Sequence, residues 1–335
     1  GFKFGEEGDQ NIIKTGSYIG NSTANHEIEI GWEPQWWLVK NVTGAQNWQL
    51  LDSMRGWVSN GNDEYLVPNN TSAESAFNFG NRTPTGFNLS NASSNWQNAS
   101  GSTYVYIAIR RPDGYVGKPA EAGTDVFGLG MSNASSTTPC HITNFVTDFA
   151  FVRTPASTTN WYTGARLMGL HHLFTDGTAA EAGNTNYTWD SNTGFAKGNS
   201  TSWQHWAWKR HAGFDVVTYT GTSTAGRQVS HSLNKVPEMI WVKNRSIVQA
   251  WKVYHKGLNG GTNPQDYSLN LNSTAAEVND HQFWNDTAPS STHVTLGTST
   301  EANHDGSNII MMLFTSVEGI SKVGSYTGTG ASGNS

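Results

Sequence analysis

The chain repeats itself, and this constrains its architecture more than any other feature, because copies of one supersecondary unit must share one local fold. The anchor Pro34-Gln35-Trp36-Trp37-Leu38-Val39-Lys40 recurs as Thr147-Asp148-Phe149-Ala150-Phe151-Val152-Arg153 and as Pro237-Glu238-Met239-Ile240-Trp241-Val242-Lys243. Each copy ends in a base after a valine, and eight residues later each carries a tryptophan, at Trp48, Trp161 and Trp251. A small-residue tract ending in glutamate follows, closing at Glu74, Glu181 and Glu277, which lie 34, 28 and 34 residues beyond the base. Each copy then finishes with an apolar run, Tyr104 to Ile109, Trp203 to Trp208 and Ile309 to Phe314. The opening Ile13 to Gly20 returns at Val216 to Gly221 and again at Lys322 to Gly328. That last match is expected to begin a fourth unit of a longer parent, or to supply a closing strand to the third.

The repeat divides the chain into units at 1–118, 119–212 and 213–320, with 321–335 as the fourth opening. Pro112-Asp113-Gly114 through Gly123 and His211-Ala212-Gly213 are turn-rich and are expected to be linkers. Within the anchor, Trp36, Leu38 and Lys40 share one face of a strand while Trp37 and Val39 share the other. Both faces are apolar, as a central strand requires. The closing runs alternate in the same way, with Ile309, Met311 and Leu313 opposed to Ile310, Met312 and Phe314. Turn signals such as Asn60-Gly61, Asp176-Gly177 and Asp305-Gly306 separate short strands, which argues for two packed antiparallel sheets per unit. The Ala-Glu tract is too short for a helix and is expected to be a loop whose glutamate pairs with the anchor base of its own copy.

Composition agrees with an all-β chain. Aromatic residues make up 12% of positions and charged residues only 14%, against the usual ~25%, so rings must carry much of the packing. A net charge of −6 without a basic block gives no electrostatic footprint for nucleic acid. The longest apolar run, Ile309 to Phe314, is far short of the ~20 residues that span a bilayer, so no membrane insertion is expected. The one cysteine, Cys140, is expected to be a small core hydrophobe.

Gly31-Trp32-Glu33-Pro34-Gln35-Trp36, Asp52-Ser53-Met54-Arg55-Gly56, Tyr106 to Pro112 and Trp241-Val242-Lys243-Asn244-Arg245 resemble the repeat of virion structural proteins of marine bacteriophages, including cyanophages. The resemblance covers nearly the whole chain. It implies a tail-fibre-like tandem protein whose unit is a lectin-like β-sandwich, located on the virion surface or outside the cell. It also implies fibre or virion subunits as partners, a homo-oligomer, and a host cell-surface glycan as ligand. The resemblance implies no catalytic residues.

The residues themselves offer few sites. Nucleophile-elbow and phosphate-loop patterns are missing, since Gly114-Tyr115-Val116-Gly117-Lys118-Pro119 lacks the required spacing. Trp57, Trp96, Trp189 and Trp284 lie in polar stretches and are candidate platforms for sugar rings, set against the plainer reading that each plugs a loop. His171 and His205 belong to a histidine-rich second copy that could gather round a metal. Asp190 and Asn192 begin like a calcium loop without its distal glutamate, leaving a structural calcium as the only cofactor to consider. Asp52, Asp63, Glu64 and Glu74 form the one carboxylate cluster from which a polysaccharide depolymerase could be built. The expected function is non-enzymatic, a structural or adhesive appendage component. The alternatives are a purely structural capsid decoration or filament subunit, and the depolymerase.

Overall fold

The computed structural model describes residues 11–90, 95–133, 138–183, 187–198 and 200–330. The chain is all-β, 39% strand and 7% helix, and every strand pairing is antiparallel. The anchor and closing run of each copy meet in one six-stranded sheet, joined by the opening in the first and third copies and by Phe127–Met131 in the second. In the first, the strands lie in the order Ile13–Ile19, Thr103–Arg110, Pro34–Asn41, Gln49–Asp52, Asp63–Leu66, Ser75–Phe77. The second runs Phe127–Met131, Gln204–Trp208, Phe149–Arg153, Tyr162–Ala165, His171–Phe174, Ala182–Gly183. The third runs Phe214–Thr220, Asn308–Phe314, Met239–Asn244, Lys252–His255, Tyr267–Asn270, Val278–Asn279. The anchor is central in all three, as its two apolar faces require.

The other repeated features have local jobs. The tryptophan eight residues past the base starts the return of the hairpin, and its backbone N–H donates to a side-chain oxygen each time: Trp48 to Asn69 at 3.0 Å, Trp161 to Asp176 at 3.1 Å, Trp251 to Asn272 at 2.9 Å. The Ala-Glu tract is irregular and leads directly into the last strand of its sheet, at Ser75, Ala182 and Val278. Its glutamates do not meet the anchor bases. Glu74 pairs with Arg55 at 3.4 Å, Glu181 crosses to Arg245 of the third copy at 2.7 Å, and Glu277 accepts the backbone N–H of Asn259. Lys40 and Lys243 bond instead to backbone carbonyls beside them, because those carbonyls lie closer than any carboxylate of their own copy.

A smaller sheet accompanies each large one: His26–Glu29, Gly86–Leu89 and Gly80–Thr83 in the first copy, His141–Ile142, Gly194–Lys197 and Tyr187–Thr188 in the second, Arg227–Ser230 and His293–Leu296 in the third. One face of the large sheet packs toward it. Trp37, Tyr106 and Phe87 meet this way, with centroids 4.4 and 4.0 Å from Trp37, and Ile309, Met311 and Leu313 share a core with Val229 and Leu296.

The opposite faces break the expectation of units strung end to end. In the second and third sheets these faces cover each other: Phe149, Leu167 and Met168 share one core with Phe214, Val216, Ile310 and Met312. Each such fully covered side chain contributes roughly 1.5–3 kcal/mol. The sheets are therefore gathered in a ring round a common centre, like the blades of a five-bladed β-propeller, and not as the three tandem sandwiches that the repeat led one to expect. The stretches expected to be linkers are built into it. Gly114 donates its N–H to Ser232 at 2.8 Å, and a Cβ there would lie 2.2 Å from the Leu233 carbonyl oxygen, so only glycine fits. His211 and Phe214 form a β-bridge. Lys322 to Gly328 does not pair as an opening strand; Val323 bonds to Ser316 Oγ at 3.0 Å beyond the Val317–Ser321 bridge. Residues 331–335 lie outside the described residues.

At the centre the three copies exchange charges. Glu33, 3% exposed, receives both ends of the Arg210 guanidinium at 2.7 and 2.9 Å, Arg82 at 3.3 Å and Arg111 at 3.6 Å. Arg111 reaches on to Asp215 at 2.8 Å, and the Arg210 backbone N–H donates to Asp148 at 2.8 Å. Arg111 and Arg210 occupy equivalent places, two residues past Ile109 and Trp208, which pair with Trp36 and Phe149 at the start of their anchors. Burial alone would raise the Glu33 carboxyl, but Arg210, Arg111 and Arg82 bring it down to about 2.

Glu33→Gln should therefore cost about 3–5 kcal/mol in chemical denaturation, because it leaves Arg210 buried without its bidentate partner. The folded pKa lies below the unfolded one, so this contribution is full above about pH 4.3 and disappears as pH falls through about 2. The variant should lack that segment of acid destabilisation; an unchanged acid profile would show that Glu33 is not the titrating group.

Candidate functional site

Where the second and third sheets lean together, their outer faces part at one end into a cleft of about 570 Å³. Its walls come from the first and closing strands of the second sheet, Phe127 and Trp208, and from the anchor and closing strand of the third, Trp241 and Phe314. The rings form one connected series. Phe127 meets Trp208 at 4.9 Å, Trp208 meets Phe151 at 5.3 Å, Phe151 stacks on Trp241 at 5.8 Å, and Trp241 meets Phe314 at 4.8 Å. Strand pairing aligns them, since Phe127, Trp208 and Phe149 occupy one row of the second sheet, and Phe214, Phe314 and Met239 one row of the third. Phe127 at the rim is 36% exposed and the inner rings are half-buried.

A few polar groups border this apolar floor: Thr124, His211, Thr315, Ser321 and Lys322. His211 Nδ1 accepts the Gly213 N–H at 3.1 Å, so its proton sits on Nε2. Burial, helped by the nearby Lys209 charge, lowers this imidazole to about 4, and it is neutral at physiological pH. The cleft thus offers aromatic faces, hydroxyls, one neutral N–H donor and one ammonium, which suits a ligand with apolar ring faces and hydroxyl edges.

The four candidate tryptophans are elsewhere. Trp57, 2% exposed, packs beside Trp37 and Phe87, with centroids 6.4 and 6.1 Å away. Trp284, 1% exposed, donates its indole N–H to the Tyr267 carbonyl at 3.0 Å. Trp189, 4% exposed, packs with near-parallel planes beside Tyr187 and Phe195 at 5.4 and 5.3 Å. Trp96 is half-buried against Phe77 and Tyr65 at 5.1 and 5.8 Å. Trp57 and Trp284 have no free ring face for a sugar, and Trp189, though only 4% exposed, borders the pocket between the first and second copies.

The metal candidates are likewise dispersed. Asp190 and His171 border a second pocket of about 410 Å³ between the first and second copies, together with Glu64 and Arg55. Asn192 is exposed in a different hollow, and His205 is buried in the second copy. Among the described residues no three His, Cys, Asp or Glu side chains come together as a metal group. The carboxylate cluster is largely committed: Asp63 accepts the backbone N–H groups of Val58, Phe79 and Gly80, and Asp52 holds Arg55 at 2.7 Å. Burial raises Glu64, with the charges of Glu74 and Asp190 adding to it.

His205 belongs to a buried pair. Its Nδ1 lies 2.9 Å from Nδ1 of His141, whose Nε2 faces the Lys197 carbonyl at 3.0 Å. His141 must donate to that carbonyl, so His205 donates to His141; a second proton on His141 would break that bond, and one on His205 would sit on Nε2, which is buried without a hydrogen-bond partner among the described residues. Burial lowers both to about 4, with the His141 charge adding to the effect on His205. Their contribution to stability is full above the unfolded value near 6.5 and falls as pH drops toward 4. Thermal midpoints measured across that window should fall on acidification, and His205→Gln should flatten the slope; an equal slope in the variant would place the titration elsewhere.

Sequence patterning alone missed the cleft. Trp208 and Trp241 sit in strands that had to be buried, and His211 sat in an apparent linker. The available signal was the second apolar face of the anchor, which needed a cover from outside its own unit.

A family model described as Domain of unknown function (DUF7483) matches residues 10–111 and 135–335. No curated protein and no solved structure matches the chain.

Proposed function

The chain belongs to this family of domains of unknown function (DUF7483), and we propose that it is a non-enzymatic structural and adhesive component of a phage virion appendage, fibre-like, that binds host surface glycan. The observation that carries the adhesive part is the cleft floored by Trp208, Trp241 and Phe314, a row of rings with hydroxyls and a neutral imidazole at its margin. In this reading the ring of sheets is a rigid block at the surface of the particle or outside the cell. Stacking a sugar on such rings contributes about 0.5–1.5 kcal/mol per pair beyond the area buried. A glycan array probed with the full chain should give binding that Phe127→Ala and Trp241→Phe each weaken by roughly 3–10-fold. No binding to any glycan at high protein concentration sinks the adhesive part, and release of reducing ends from a bound polysaccharide sinks the non-enzymatic part.

A specific feature favours the second reading, a purely structural capsid or filament subunit. Among the described residues, the outer face of the first sheet lacks the cover that the other two give each other. Ile13, Ile109 and Trp36 form one row across it and Ile107, Leu38 and Leu50 the next, with Ile13 56% and Ile107 37% exposed. Contiguous apolar surface of this kind marks association sites. Sedimentation should show wild-type self-association that Leu38→Lys and Ile107→Lys abolish without lowering the thermal midpoint. A monomer at high concentration in both forms removes this support.

A further inference from the structure

The aromatic cleft has a neighbour. Val126 and His211, which line it, also line a second hollow of about 490 Å³. The turn Gly123–Asp125 and the residues before it form the ridge between the two: Ala122, Gly123 and Thr124 border the cleft, and Glu121 and Asp125 border the hollow. This ridge is held firmly. The Asp125 carboxylate accepts the backbone N–H groups of Glu121 and Ala122 at 3.0 and 2.9 Å, and the Asp125 and Val126 N–H groups return to the carbonyls of Ala122 and Gly123. Glu121, Ala122, Thr124 and Asp125 are exposed, so the crest is open to solvent.

The two spaces differ in chemistry. The cleft is floored by rings, whereas three acidic and three basic side chains border the hollow, Asp113, Glu121 and Asp125 against Lys118, Lys209 and Arg210. Lys118 pairs with Glu121 at 2.8 Å, Asp113 holds Arg110 at 2.9 Å, and Arg210 holds Glu33. The hollow thus carries no net charge, and the exposed amides of Asn144 and Asn192 add donors and acceptors to it. Such a lining suits hydroxyls, which both donate and accept, better than a charged group. Where the two spaces meet, His211 has Nδ1 committed to the Gly213 N–H and keeps Nε2–H to donate. Each space lies within the roughly 300–1,000 Å³ of sites that enclose a whole small molecule, so one ligand reaching both must be a chain.

We propose that cleft, ridge and hollow form one extended site for an internal stretch of an uncharged linear polysaccharide, with sugar faces on Trp241 and Phe314, a hydroxyl on His211 Nε2 and the following units in the hollow. The inference rests on the glycan reading of the cleft and adds the kind of glycan, a neutral chain recognised along its length and not at its end. Two subsites on one chain act together, because once the first is filled the second is met at high effective concentration.

The test measures the affinity of the full chain, by titration calorimetry, for length series of β-1,4-linked glucose, mannose and galacturonate, each from the disaccharide to the octasaccharide. Affinity in a neutral series should rise on the order of 100-fold as the chain becomes long enough to cross the ridge, and little before or after that length. Asn192→Trp, at an exposed position where a large ring would fill the hollow, should flatten this dependence on length. Lys209→Ala should lower the affinity for the octasaccharide more than that for the disaccharide, whereas Phe127→Ala, at the cleft, should weaken long and short chains alike. An octasaccharide bound no tighter than the disaccharide, a length dependence unaltered in both Asn192→Trp and Lys209→Ala, or binding confined to galacturonate overturns the extended site and leaves the cleft as a glycan site. No binding of any series overturns it together with the reading on which it rests.

Discussion

Glu33 lies where three sheets converge, and its carboxylate takes the full fork of Arg210 together with edges of Arg82 and Arg111. Taking a carboxylate and guanidinium groups out of water costs several kcal/mol per ion, which only close and well-hydrogen-bonded partners offset. The partners come from different parts of the chain, so the offset is complete only when all three copies are docked. Arg210 sits between the second and third sheets and Asp215 opens the third, while Arg111 leaves the first. The geometry of the ring is therefore tied to one short network of charges.

The apolar packing follows from the same docking. Each large sheet has two greasy faces because its anchor and closing strands alternate between two cores. One face meets the small sheet of its own copy, and in the second and third copies the other face meets a neighbouring sheet. The cleft is the place where that second contact opens. Its rings belong to the inter-copy core, which keeps them rigid and half-buried, and this is also why they lie in strands rather than loops. Among the described residues the first sheet carries the same kind of face without such a cover.

Much of this was legible in the residues. The Val-base anchor, the tryptophan eight positions on and the closing run each mark a strand or hairpin that recurs in all three sheets, because strand alternation is a local property written at period two. The opposed phases of Ile309 to Leu313 and Ile310 to Phe314 correspond to two separate cores. Candidate sites fared worse. Trp57, Trp189 and Trp284 stand in polar stretches, and nothing in the local sequence records that a small sheet folds over each of them. The Ala-Glu glutamates were expected to find the base of their own copy, whereas Glu181 finds Arg245 of the next, a choice made by distance across the ring.

The sequence by itself determined the recurring central strands and the presence of two apolar faces on each, since these follow from residue type and spacing within a few dozen positions. Only the tertiary structure decided what covers the second face, which charges meet at Glu33, and which aromatic rings stay open to solvent. Those outcomes depend on docking between segments far apart in the chain, such as Glu33 with Arg82 and Arg210, 49 and 177 residues away. Whether a ring, a carboxylate or a histidine is spent on the fold or left available depends on that docking, and it has no period in the chain.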